Sequence, residues 1–314
     1  MLGVRLTESI QGRDVEPAFG LPSHARERVV AAAHAEAAAE GVLPNDGRPL
    51  ENVRITVSGS GEESALVVEV AADGRSFARR FDRLTLFDDV SALVGQLLAS
   101  RELAAGSYGF ALVELPEPPV RPGSLRVAPF PRALPRLPVV SLRDAGIREL
   151  PRCAHVPIYL PRVLALELVA LARSTPEVET GAAILVHPFL LAEPAPSRLA
   201  LYVSDVVPLG EGTSGDACRL RVPPAALAAV PQDPARGRHL GGLAHSHPTA
   251  EGTAHFLSAD DVDLATRFYW MPFHVQIVMD PRETDPERAL ALYAWVGARL
   301  DRVCFHPLDE PTRP

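Results

Sequence analysis

The sequence predicts an α/β protein in which a small α+β domain (residues 1–115) precedes a larger α/β domain (residues 139–314). Three observations lead to this fold class. Beyond residue 139, stretches with strand-like alternation and stretches with helical spacing follow one another, as expected when helices cover a sheet. Eight prolines fall between residues 116 and 138; because proline fixes φ and removes an amide donor, we expect a linker there. The first 115 residues mix both patterns over a shorter span.

The composition is that of a folded protein. Of 314 residues, 47% are hydrophobic and 22% charged, with a net charge of -8. An acidic chain without a basic block predicts neither nucleic-acid nor membrane binding. No apolar stretch reaches the roughly 20 residues of a membrane span, and the N-terminus lacks the apolar core of a signal peptide. The three cysteines are widely separated and suggest no disulfide framework, so we expect a cytoplasmic protein.

Every basic side chain other than histidine is arginine; the chain has no lysine. A GC-rich genome explains this bias. A protein that works beside a lysine-modifying system and escapes modification would show it too.

The elements of the first domain follow from local signals. Helices are predicted at His24–Glu40 and from Phe87 to about Ser100, and strands at Val53–Val57, Leu66–Val70, Ser76–Phe81 and Tyr108–Leu115. Asp73-Gly74 marks a hairpin turn. Such content is typical of small ubiquitin-like or partner-binding folds, among many others. We find no catalytic constellation in this domain.

Helices and strands alternate along the second domain. Helices are predicted at Pro161–Arg173, Pro223–Val230 and Asp260–Trp270, and strands at Thr180–Val186, Leu199–Val206, His239–His247 and Phe273–Met279. Ala289–Val296 fits a final strand, although periodicity alone also allows a helix.

The chemically informative run lies in this domain. On a strand, residues two apart face the same side, so His245 and His247 present two imidazoles to one point. Pro248 ends the strand, and Asp261 lies in the first turn of the next helix. Two imidazoles and one carboxylate leave a fourth tetrahedral position open, the arrangement of a catalytic Zn²⁺ site. Zinc there would lower the pKa of a water toward about 7 and polarise a carbonyl.

His245-Ser246-His247-Pro248 followed by Ser258-x-x-Asp261 resembles the motif of the JAMM (MPN+, JAB) zinc metallopeptidases. Pro176–Gly181 resembles the family's upstream glutamate motif, and Pro272–Pro281 its following strand. The likeness covers roughly residues 155–300 and points to the prokaryotic deubiquitinase-like branch. It implies an MPN domain, a cytidine-deaminase-like mixed sheet flanked by helices. It also implies Glu179 as general base and Ser258 as hydrogen-bond donor to the oxyanion.

The chain departs from the family pattern twice. About three extra residues, around Glu251-Gly252-Thr253, separate His247 from Ser258 and predict a loop near the metal. They also leave Asp260 as an alternative to Asp261. The residues after Glu179 differ from the familiar form, so Glu177 is an alternative base.

Several of these residues have a purely structural interpretation. Ser258-x-x-Asp261 is also a helix capping box, and both roles are compatible. The structural alternative for Glu179 is a solvated acid at a strand start. The remaining polar candidates are expected to be ordinary: non-ligand histidines His255 and His274, surface His187, and buried Cys218. Trp270 and Phe268 are expected in the core.

The resemblance implies an isopeptidase or peptidase that cleaves after the C-terminus of a ubiquitin-like protein, within a bacterial conjugation system. Its expected partners are that protein or its conjugates, and the activating and conjugating enzymes. The first domain would recognise one of them. Maturation of a β-grasp sulfur-carrier protein is the alternative enzyme activity. A non-catalytic MPN scaffold is the non-enzyme alternative, which the complete set of candidate residues disfavours.

Overall fold

The computed structural model describes residues 2–9, 12–116, 134–145, 156–193, 197–209, 213–216, 219–248 and 255–309. The chain divides into two compact units, one of residues 1–134 with 297–299 and one of residues 135–296 with 300–314. This division falls inside the segment predicted as a linker, of which residues 117–133 lie outside the described residues. The predicted domain limits therefore stay predictions.

The described residues of the first unit form two α-helices and two three-stranded sheets. Its elements are β1 (Leu2–Glu8), β2 (Arg13–Gly20), α1 (Ser23–Ala39), β3 (Asn52–Ser58), β4 (Ala65–Ala72), β5 (Arg75–Asp82), α2 (Phe87–Ala99) and β6 (Tyr108–Glu114). The strand orders are β2-β1-β6 and β3-β4-β5. The alanines of α1 pack against alternate apolar side chains of β4, Leu66, Val68 and Val70. Because alanine is small, α1 can lie close to β4, and the apolar side chains between the helix and the strand form the core of this unit.

The predicted elements of this unit are confirmed. Asp73 and Gly74 both adopt positive φ, as a two-residue hairpin turn requires. Strands β1 and β2 were not predicted. Strand β2 is mostly exposed and carries three charged residues, which obscure its alternation.

The second unit is built on one large mixed sheet. The strands of this sheet are β7 (Val139–Val140), β8 (Ile158–Pro161), β9 (Gly181–Leu191), β10 (Arg198–Pro208), β13 (His239–Ser246), β14 (Val275–Met279), β15 (Leu290–Val296), β16 (Arg299–Val303) and β17 (Phe305–Leu308). Strands β11 (Ser214–Gly215) and β12 (Leu220–Arg221) form a separate two-stranded sheet. The helices of this unit are α3 (Arg162–Ser174), α4 (Pro224–Ala228), α5 (Ala259–Phe268) and α6 (Pro286–Ala289). The sheet order is β16-β15-β14-β13-β9-β10-β8-β17, with β7 beside β9.

The centre of this sheet is β9. It pairs antiparallel with β10 on one edge and with β13 on the other, while β13 and β14 run parallel. Ten of the eleven residues of β9 are buried, as expected for a strand covered on both faces. Helix α3 packs against the sheet. The α/β class with a mixed sheet is therefore what the structure shows.

The predicted elements of this unit are confirmed with two changes. The strand predicted at Thr180–Val186 continues to Leu191. Ala289–Val296 is strand β15, but it is not the final strand, since β16 and β17 follow and β17 pairs parallel with β8. Three charged residues in β16 hide its pattern. None of the described helices has the length and apolar character needed to cross a membrane.

Candidate metal centre

Two consecutive glycines allow β13, the strand that bears the histidines, to pack closely between its neighbouring strands. A Cβ on Gly242 would lie 1.7 Å from the Val275 carbonyl oxygen, and one on Gly241 would lie 2.4 Å from the Val186 side chain. The register with β9 shifts between Leu240 and Gly242. Only glycine allows this approach, so the pair fixes where the following histidines emerge.

Backbone hydrogen bonds on both edges hold the end of β13. On the β9 side, the Ser246 N–H donates to the Thr180 carbonyl (2.9 Å), and the Thr180 N–H donates to Ser246 Oγ (2.9 Å). On the β14 side, the His247 N–H donates to the Met279 carbonyl (3.0 Å). Because Ser246 points to the opposite face from its neighbours, it anchors the strand without entering the site.

The structure brings His245, His247 and Asp261 together. The Nε2 atoms of His245 and His247 lie 3.0 Å apart. Asp261 Oδ1 is 3.1 Å from Nε2 of His245, and Oδ2 is 3.5 Å from Nε2 of His247. Zinc bonds of about 2.0–2.1 Å give a tetrahedron with edges of about 3.3–3.4 Å. The three donors are therefore spaced to hold a metal ion, and among the described residues they form such a group.

Ser258 places the Asp261 carboxylate at the start of α5. The Ser258 N–H (2.8 Å) and hydroxyl (2.7 Å) both donate to Asp261 Oδ2, while the Asp261 N–H donates to Ser258 Oγ (3.2 Å). This is the predicted capping box. Burial alone would raise the pKa of Asp261. Hydrogen bonds from the two imidazoles and from Ser258 outweigh it and hold that pKa well below its usual range.

Glu179 lies in the same cluster, in the stretch just before β9. Only 9% of it is exposed, and burial raises the pKa of its carboxyl, an effect that the nearby imidazoles oppose and Asp261 reinforces. The β11–β12 hairpin holds this residue. The Glu179 N–H donates to the Asp216 carbonyl (2.8 Å), and the Leu220 N–H donates to the Glu179 carboxylate. A Cβ on Gly215 would lie 1.9 Å from the Glu179 carbonyl oxygen.

The two alternative acids lie outside the cluster. Glu177 is exposed in the turn before β9. The Asp260 side chain is 80% exposed and faces Arg219 at 3.8 Å. Burial therefore separates Glu179 from Glu177 and Asp261 from Asp260.

The other predicted residues have separate places. His255 Nε2 lies 3.2 Å from the Ala289 carbonyl, and His274 Nδ1 accepts from the Met271 N–H (3.1 Å). His187 is half-buried, and its ring lies against that of Tyr202. Cys218 and the loop around Glu251-Gly252-Thr253 lie outside the described residues.

Of the two aromatic residues expected in the core, Trp270 is buried, but the prediction for Phe268 was wrong, since it is 67% exposed. The buried face of α5 runs through Ala265 toward Tyr269. Phe268 lies off that face. Phe256, by contrast, packs its ring against His247, with the centroids 4.8 Å apart.

Sequence reasoning missed the β11–β12 hairpin, which positions Glu179. The turn-favouring run Thr213-Ser214-Gly215-Asp216 was the available signal. It also missed the anchoring role of Ser246.

Comparison with known proteins adds little. No protein-family model and no curated protein matches the chain. Among solved structures, the solution structure of protein DSY2949 from Desulfitobacterium hafniense is similar at 20% identity, with a TM-score of 0.35, over 49% of this chain and 94% of that chain. A likeness of this size does not establish a shared fold.

Proposed function

We propose that the second unit is an MPN-type domain and that the protein is a zinc-dependent peptidase. The observation that carries this proposal is the grouping of three donors, His245, His247 and Asp261, beside a buried glutamate. Imidazole donors favour zinc over magnesium or calcium, which prefer oxygen alone. Three protein ligands leave one position for a reactant, as in catalytic rather than structural zinc sites.

Zinc bound there would activate a water molecule and polarise an amide carbonyl. Glu179 takes the proton of the attacking water and delivers it to the leaving amine. Its burial suits this role, because desolvation raises the pKa of the carboxyl and so makes it a better proton acceptor. The Leu220 N–H contacts the carboxylate, and the close approach of Gly215 fixes the backbone of Glu179.

Ser258 has two tasks in this proposal. Its N–H and hydroxyl orient Asp261. Turned toward a substrate, the same hydroxyl donates to the oxyanion while the N–H keeps its bond to the carboxylate.

The substrate we propose is the C-terminal segment of a ubiquitin-like protein, joined either to a lysine amine or to a linear extension. This rests on the motif resemblance. The protein would act in a bacterial conjugation system, with its activating and conjugating enzymes as partners. Linear precursors of a β-grasp sulfur-carrier protein are the alternative substrate.

The experiment is to incubate the purified protein with ubiquitin-like substrates of both linkage types and to follow cleavage by intact mass. Zinc-dependent cleavage directly after the modifier, abolished by a chelator and by Glu179→Gln, is expected. The preferred linkage separates deconjugation from precursor maturation. A protein that binds no zinc and cleaves nothing would instead be a scaffold.

A further inference from the structure

Buried polar atoms without a hydrogen-bond partner lie on β13, the strand that bears His245, and on its neighbour β14. Among the described residues, Nδ1 of His245 and both amide atoms of Gln276 have no hydrogen-bond partner. Both residues are only 2% exposed. Leaving such groups unpaired is unfavourable, so their retention in a core requires an explanation.

The register of the sheet places these groups on one face. Strands β13 and β14 run parallel, with Leu243 opposite Gln276 and His245 opposite Val278. Residues opposite each other point to the same side, as do residues two apart on one strand. Leu243, His245, Gln276 and Val278 therefore share a face. Of these four residues, His245 and Gln276 are the polar ones.

The two groups are chemically complementary when His245 binds a metal. Its Nε2 is the atom that faces His247 and Asp261. A neutral imidazole that gives Nε2 to a metal carries its proton on Nδ1 and becomes a donor there. Ligating histidines almost always donate this second N–H to an acceptor. The amide oxygen of Gln276 is an acceptor without a donor.

We propose that Gln276 is a positioning residue of the metal centre: in the metal-loaded protein its Oε1 accepts a hydrogen bond from Nδ1–H of His245, directly or through one buried water. This bond fixes the tautomer that presents Nε2 to the metal and holds the ring in line with His247. The inference rests on the proposed zinc site but not on the identity of the substrate.

The test measures zinc affinity by competition with a chromogenic chelator in the wild type, Gln276→Leu and Gln276→Glu. Loss of an acceptor to a ligating histidine costs about 10–100-fold in metal affinity, which is the loss expected for the leucine variant. The glutamate variant keeps an acceptor and is expected to bind zinc at least as tightly as the wild type. Ile277→Val, on the opposite face of the same strand, is the control and should bind like the wild type.

A second readout separates positioning from packing. In zinc-loaded protein labelled with ¹⁵N at histidine, long-range ¹H–¹⁵N spectra should show His245 protonated at Nδ1, assigned by its loss in His245→Asn. Its proton resonance should move upfield in Gln276→Leu and not in Ile277→Val. Unchanged zinc affinity and an unmoved resonance in Gln276→Leu would overturn this inference alone. A wild type that binds no zinc would overturn the proposed function as well.

Discussion

Each of the two units buries charged groups, but they do so in different ways. In the first unit, Arg28 pairs through both terminal nitrogens with Asp89, and His24 lies 3.5 Å from the same carboxylate. In the second unit, the cluster of His245, His247, Asp261 and Glu179 contains two acids and two imidazoles. The first group is neutralised by its own members. The second sets two carboxylates beside two imidazoles that could hold a metal ion, and a bound cation would balance the charge of those carboxylates.

The pKa directions express the same contrast. Burial pushes the pKa of both Asp89 and Glu179 upward. For Asp89, the hydrogen bond from His24 and the charge of Arg28 outweigh the effect of burial, so its pKa is lowered. Glu179 has no permanent cation among the groups that shift it, and its pKa is raised.

The largest expected effect concerns the uncompensated acid. Glu179→Gln keeps the shape of the side chain and removes its ability to accept a proton. The cleavage rate should fall by about 10²–10⁴-fold while zinc content is unchanged. Intact-mass kinetics and metal analysis measure both quantities. The control is Glu177→Gln, an exposed neighbour expected to cleave normally. Equal loss in both variants would remove Glu179 from its proposed role.

The buried ion pair of the first unit, Arg28 with Asp89, is expected to affect the stability of the fold rather than cleavage. Arg28→Met leaves Asp89 buried without its main cation, and removing one partner of a buried pair costs about 3–5 kcal/mol. Hydrogen exchange in α1 and α2 measures this loss in the unit itself. Arg48→Met is the control, because Arg48 and its partners Asp46 and Asp73 are exposed, and little change is expected.

This pair also predicts a pH dependence. The pKa of Asp89 is lowered on folding, so its contribution is fully present above the ordinary value of 3.8 and is lost as pH falls below it. The wild-type unit should lose protection against exchange over that acid range, and Arg28→Met should lose less. Parallel acid profiles for the two proteins would contradict the assignment.

Local patterns made part of the metal centre predictable from sequence. His245 and His247 are two apart on a strand, so strand geometry alone predicts that their imidazoles face one point. Asp261 was added by the resemblance of Ser258-x-x-Asp261 to the family motif, since nothing local brings the next helix to the end of this strand. The choice between Glu179 and Glu177 was not local. It depends on the β11–β12 hairpin folding back so that Gly215 meets the Glu179 backbone, and such a contact leaves no period in the sequence.

The fold shows the same limit. Amphipathic and buried segments such as α3 and β9 were predictable because burial imposes a pattern on them. Strands β2 and β16 are less buried and rich in charged residues, so they carry no such pattern and were missed. Phe268 was assigned to the core by residue type, whereas the helix turns it to solvent.

The next effect asks whether a cation completes the second cluster. At a free zinc concentration 100 times its Kd, the metal should stabilise the folded protein by about 2.7 kcal/mol. Asp261→Asn keeps an oxygen for the Ser258 N–H but weakens the donor set, so this gain should largely disappear. Thermal unfolding with and without zinc measures it. Asp260→Asn, whose side chain is exposed, should keep the full response. A zinc response that survives Asp261→Asn would mean that the ion binds elsewhere.

The smallest effect asks how much of the buried polarity in the second unit already serves the fold. Ser258 caps α5 whether or not metal is bound. In metal-free protein, Ser258→Ala should therefore cost about 1 kcal/mol, the usual value of a helix N-cap. Ser258→Thr retains a hydroxyl and should cost less. Thermal or urea unfolding of the metal-free variants provides the comparison. If the Ser258→Ala and Ser258→Thr variants were both as stable as the wild type, the capping box would contribute nothing to stability. The hydrogen bonds from Ser258 to Asp261 would then serve the metal centre alone.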